Sequence, residues 1–231
     1  MVKDYHHATR HPATVALAVL PLALVYGLGL LWASPAARSG VDLVTGILMS
    51  NLGVQGYIGV QSGLSLAVLG YAIYHFRSQT LKRALLTVPI VVESALYGLM
   101  MGFLILHVME EQHLLGPLLV PSGLLDWTVL SAGAGLHEEL LFRLMLLPAM
   151  AIGLEHIMAM PKPLAWGAAA IGSSLLFAGA HHFAGEPFEV YAFTYRTFAG
   201  LFFAGVFLTR GFAVATWTHA IYDLHVLWSQ G

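Results

Sequence analysis

Seven stretches of this 231-residue chain stay apolar for about the twenty residues that a helix needs to cross a bilayer. They run from Thr14 to Trp32, Tyr57 to Phe76, Ala84 to Met109, Leu124 to Ile152, Leu164 to Phe183, Val190 to Thr209 and Phe212 to Trp228. Their apolar character is continuous rather than alternating. They therefore read as helices, which satisfy their own backbone N–H and C=O groups in hydrocarbon. The predicted fold is all-α: a polytopic membrane helix bundle of about seven transmembrane helices around an intramembrane cavity. The composition agrees, with 58% hydrophobic and 10% charged residues, against about 25% charged in an average soluble domain. The length suits one transmembrane helical domain, residues 13–229, with its chemistry-bearing core at residues 124–229. A polar arm over residues 1–12, with Lys3, Arg10 and three histidines, is expected to lie in solvent.

The first run begins like a secretory signal and is followed by the small residues Ala33-Ser34-Pro35-Ala36. It exceeds the roughly 7–15 apolar residues of a signal peptide, so it reads as a retained anchor. Val41 to Leu52 is expected to be a short interfacial helix. Gly133 and Gly135 are expected to divide the long fourth run. Gly98 and Gly102 form a GxxxG that lets helix backbones approach. Lys3, Arg10, Arg77, Lys82, Arg83, Lys162 and Arg210 fall on the N-terminal side of the bundle, whereas the other side holds Arg38 with Glu110, Glu111, Glu186 and Glu189. Positive charge stays inside, so the expectation is a multi-pass protein of a bacterial inner membrane with a cytoplasmic N-terminus. There is no cysteine, which excludes disulfides and thiol catalysis. A net charge of -2 without a basic run gives no reason to expect nucleic acid. The expected partners are membrane lipid and a peptide or protein substrate at the membrane; the sequence leaves the oligomeric state open.

Nine polar residues interrupt the apolar runs: Glu93, Glu138, Glu139, Arg143, His181, His182, Arg196, His219 and Asp223. A charge at the centre of a membrane helix costs about 2.5–3.5 kcal/mol, so such groups pair, face the bundle interior and mark function. Glu139 and Arg143 are four apart and share a helix face. Glu138 points about 100° away from Glu139, which leaves it without a local partner and makes it the first candidate for chemistry. Glu93 and Arg196 are a plausible pair between the third and sixth runs. His219 and Asp223 stack on the last run. Glu138, His181, His219 and Asp223 can together hydrolyse a peptide bond: a buried glutamate takes a proton from water, one histidine orients that water, and the other with its neighbour holds an oxyanion. Zinc accepts the same residue types, but no HExxH is present.

Three motifs occur in order on separate runs: Glu138-Glu139-x-x-x-Arg143, Phe177-x-x-x-His181 and His219-x-x-x-Asp223. This combination resembles the CAAX prenyl protease and bacteriocin-processing family (CPBP or ABI family) of glutamic-type intramembrane proteases. The resemblance covers roughly the C-terminal half. It implies a peptidase in which Glu138 activates water, His181 partners it and His219 lies on the oxyanion side, with Glu139 and Arg143 in support; no cofactor is expected, with zinc the disfavoured alternative. Asp223 stands where the eukaryotic CAAX protease has asparagine. Asparagine is a neutral donor, whereas aspartate donates only when protonated, so Asp223 is either neutral or orients His219. Bacterial relatives are linked to bacteriocin maturation, self-immunity and removal of C-terminal sorting tails. A catalytically silent scaffold or immunity factor of the same fold, a zinc-dependent protease and a small proton-coupled transporter are the rival readings; the lack of an inverted repeat speaks against the last.

Overall fold

The computed structural model describes residues 2–39, 42–76, 79–108, 123–183 and 188–230, and among them every regular element is helical. Helix α1 is Val2–Arg10 and α2 is Pro12–Gly29; a short 3-10 turn, Pro35–Ala37, leads into α3, Leu43–Phe76. Then follow α4, Thr80–Leu85, α5, Thr87–Val108, and α6, Leu124–Glu138. A π-helical segment, Glu139–Leu146, joins α6 to α7, Leu147–His156. Helices α8, Lys162–Phe183, α9, Val190–Arg210, and α10, Phe212–Gln230, complete the chain.

Among the described residues, five helical stretches are long and apolar enough to cross a membrane: Pro12–Gly29, Thr45–Tyr74, Thr80–Ile105, Lys162–His182 and Val190–Arg210. The molecule is a multi-pass helical membrane protein. The fourth and seventh expected spans are also helical but do not meet that measure. They carry Glu138, Glu139, Arg143, His219 and Asp223, five of the six candidate site residues; the sixth, His181, lies on α8. Of the charges used to orient the chain, Arg77, Glu110, Glu111 and Glu186 lie outside the described residues.

The first twelve residues differ from the solvated arm expected of them. Helix α1 packs on the bundle with Thr9 buried. His6 Nε2 donates to the Thr209 carbonyl at 2.8 Å, and Arg10 Nη2 donates to the Leu208 carbonyl at 2.6 Å. The last carbonyls of a helix have no partner within it, and α1 supplies donors to the end of α9. Composition could not show this, because the acceptors lie about two hundred residues away in sequence.

Gly53, at φ 66° and ψ 178°, kinks α3. A helical part precedes the kink where a short helix was expected, and the membrane-length stretch begins at Thr45 and runs through Gly53. The expected division at Gly133 and Gly135 is corrected: α6 runs unbroken through both. A Cβ on Gly135 would stand 2.7 Å from the Thr216 carbonyl oxygen, and one on Gly133 would stand 2.2 Å from the Tyr26 ring. These glycines let α6 press against α10 and α2 rather than break it. The departure from α geometry comes later, at Glu139, where an eight-residue π segment begins. Such segments occur often at functional sites.

Helix α10 lies in the middle of the bundle, against α2, α5, α6 and α9. Phe212 to Thr216 and Thr218 to Ala220 are buried. Met101 of α5, Phe142, Phe177 of α8, Phe203 of α9 and Tyr222 of α10 form one apolar cluster, the floor on which the polar groups stand. On the other side, Asp42 ties the start of α3 to α2 and α6. It accepts from Tyr26 Oη at 2.6 Å and from the Thr45 N–H at 2.9 Å, and His137 Nε2 stands 3.5 Å away.

Candidate active site

The polar groups converge from four elements. Glu138 ends α6, Glu139 and Arg143 lie in the π segment, His181 sits near the end of α8, and His219 and Asp223 lie on α10. Glu139 and Arg143 pair as their spacing predicts, with Arg143 Nη1 3.1 Å from Glu139 Oε1 and both side chains fully buried. Arg143 also donates to the Gly200 carbonyl of α9 at 3.1 Å, and its guanidinium lies 4.3 Å from the Phe177 ring centroid. A buried ion pair needs further contacts of this kind to offset its lost hydration.

His219 is only 2% exposed. Its Nδ1 meets Glu139 Oε1 at 2.8 Å, and its Nε2 meets Asp223 Oδ2 at 3.3 Å. His181 is placed differently. Its Nδ1 donates to the Phe177 carbonyl at 3.0 Å, which in a neutral ring leaves Nε2 as the acceptor nitrogen. That nitrogen stands 4.0 Å from Glu138 Oε2, and His219 Nε2 stands 3.8 Å from the same oxygen. These gaps are too long for direct hydrogen bonds and suit one bridging oxygen at about 2.8 Å from each group. Phe177 meets the His181 ring at 5.2 Å and the His219 ring at 5.9 Å, so the phenylalanine of the second motif, itself part of the apolar floor, touches both histidines.

The structure thus brings together Glu138, Glu139, Arg143, His181, His219 and Asp223. It does not bring in His182, which packs on Phe188 and Phe193 with centroids 5.0 and 6.0 Å away. The expected pairing of Glu93 with Arg196 is corrected. Glu93 takes both Nε and Nη2 of Arg210, the latter at 2.9 Å, and the Tyr5 hydroxyl at 2.9 Å. Arg196 instead lies within electrostatic reach of His181. Sequence reasoning missed Phe203, whose ring stacks on His219 with centroids 4.2 Å apart and planes 14° apart. It also missed the Gly200 carbonyl that receives Arg143. Neither carries a sequence signal, since a phenylalanine or glycine in a membrane helix is ordinary. Among the described residues, no group of three or more histidine, aspartate or glutamate side chains is arranged to hold a metal ion.

Residues 120–225 match a family model described as type II CAAX prenyl endopeptidase Rce1-like. The matched stretch falls just short of half the chain and contains all three motifs, which bears out the resemblance they suggested. No curated protein and no solved structure matches the chain.

Proposed function

We propose that this chain, with a CAAX-protease-type segment as its C-terminal half, is an intramembrane endopeptidase that cleaves a membrane-associated peptide through a glutamate-activated water. The observation that carries this reading is the placement of Glu138. Three carboxylates crowd the site, yet Glu139 is held by Arg143 and His219, and Asp223 faces His219, whereas the nitrogens nearest Glu138 Oε2 leave water-sized gaps.

In the proposed reaction, water sits between Glu138 Oε2 and His181 Nε2. Glu138 takes its proton as the oxygen attacks the scissile carbonyl. His219 Nε2–H donates to the oxyanion of the tetrahedral intermediate. The C–N bond then breaks as the proton on Glu138 passes to the leaving amine, with His181 as the relay. The apolar floor of Phe142, Phe177 and Phe203 excludes other water, which strengthens each of these interactions. The substrate class is a lipidated or tail-anchored polypeptide. With the N-terminus cytoplasmic, His181 lies toward the outer end of α8, which favours a C-terminal tail of a secreted protein over a prenylated cytosolic one.

The test is a comparison of Glu138→Gln with wild type, both purified in detergent and given membrane-anchored peptides, with products read by mass spectrometry. Wild type cleaves and the variant does not, in the presence or absence of a zinc chelator. Cleavage by the variant overturns the assignment of Glu138. Loss of wild-type activity on chelation replaces the glutamate-water reading with a metal-dependent one.

A further inference from the structure

One face of His219 is stacked against an aromatic ring, and both ring nitrogens are met by carboxylates. Phe203 stacks on the ring and Phe177 meets it edge-on. Nδ1 is 2.8 Å from Glu139 Oε1, while Nε2 is 3.3 Å from Asp223 Oδ2 and 3.8 Å from Glu138 Oε2. A neutral imidazole has one donor and one acceptor nitrogen, and an ionised carboxylate only accepts. Either neutral tautomer would therefore aim a lone pair at a carboxylate oxygen. Only the ring that carries a proton on both nitrogens satisfies both edges.

We infer that Asp223 is a positioning residue for the reaction proposed above, on which this inference rests: with Glu139 it holds His219 as a double N–H donor and draws the Nε2–H away from Glu138. Two consequences follow. Glu138 keeps its oxygen free for water, because the nearest competing donor is turned to Asp223. The Nε2–H is also ready for an oxyanion, because only its acceptor changes, from Asp223 Oδ2 to the substrate oxygen, and no proton leaves nitrogen. Asp223 suits this exchange. Its side chain is 30% exposed, against 9% for Glu138 and none for Glu139, so it gives up the contact with water at hand to replace it. Asparagine has the same shape without the charge that keeps the second proton on the ring. The other charged or titratable groups facing the site are Arg143 on the π segment, paired with Glu139, His181 on α8, and Tyr195 and Arg196 on α9. None of them offers a carboxylate to replace Asp223.

The test is nitrogen NMR of the full chain in detergent, with ring-labelled histidine, at pH 7.5. The chain has 12 histidines, and the His219 signals are identified by their loss in His219→Gln. Wild type is expected to show both ring nitrogens of His219 protonated. Asp223→Asn loses the Nε2–H signal and keeps the Nδ1–H that faces Glu139, whereas Glu138→Gln keeps both. A singly protonated His219 in wild type overturns the proposal without any variant, and so does an Asp223→Asn protein that keeps both signals. Asp223→Ser serves in the same role if the asparagine variant does not fold. The readout needs no cleavage, so an active Glu138→Gln enzyme defeats the assignment of Glu138 as the base while leaving this result legible.

Discussion

The polar cluster beside α1 and the polar cluster at the centre of the bundle differ in whether their charges are matched. The cluster beside α1 holds one carboxylate, Glu93, with the bidentate guanidinium of Arg210 and the Tyr5 hydroxyl. Burial and the adjacent Glu93 push the Tyr5 phenol up to about 12, so it remains a donor throughout the physiological range. The central cluster holds three carboxylates, Glu138, Glu139 and Asp223, around His219, with one guanidinium, Arg143, closely paired to Glu139. A matched pair is what joins helices. An excess of one charge, with one carboxylate beyond hydrogen-bond reach of its nearest nitrogens, has no use as a joint and a clear use in proton transfer.

The contrast is sharpest when Glu138 and Glu93 are changed in the same way. Glu138→Gln is expected to lower the cleavage rate by about 10²–10⁴-fold, the usual contribution of a general base, with little loss of thermal stability. Glu93→Gln is expected to do the reverse, keeping cleavage and losing about 1–3 kcal/mol as charged hydrogen bonds are weakened. Cleavage kinetics and thermal unfolding in detergent read both, and equal loss of activity in the two variants would break the distinction. Arg143→Met comes next. It leaves Glu139 buried without its counter-charge, at about 3–5 kcal/mol, and folded yield should fall sharply. The double variant Glu139→Gln with Arg143→Met should recover part of that yield while remaining inactive. Tyr5→Phe is smaller, about 0.5–1.5 kcal/mol for one hydrogen bond, and should leave cleavage unchanged.

The smallest effect is one of pH at the α1–α2 junction. His11 Nδ1 accepts from the Ala13 N–H at 3.2 Å and so caps α2, which requires an unprotonated nitrogen. Burial, and then the charge of Arg83, lower its pKa below the ordinary 6.5. The unfolded chain then binds this proton more readily than the folded one. The stabilisation from His11 is complete above pH 6.5 and is lost as pH falls through the lowered value. A His11→Asn variant, capped by a side chain that does not titrate, should show a flatter decline in thermal stability between neutral and acid pH.

Much of the site was legible because helices repeat. Glu139 and Arg143, Phe177 and His181, and His219 and Asp223 are each four residues apart, and that spacing places each pair on one helix face wherever the helix lies. The same rule was silent on Glu93 and Arg210, which are 117 positions apart, and the pairing expected between the third and sixth spans named the wrong arginine. Glycine misled for a related reason. In sequence Gly133 and Gly135 look like breaks, whereas in the structure they mark where another helix comes close, and a missing Cβ does not say which of the two it serves.

The sequence by itself determined that the chain is a helical membrane protein and which polar residues are the candidates for its chemistry, since apolar length and intrahelical spacing are local properties. Only the tertiary structure decided how α1 docks on α9, which arginine neutralises Glu93, and which carboxylate meets which nitrogen of His219. Those outcomes depend on how separate helices rotate against one another, and packing across the whole bundle sets that rotation.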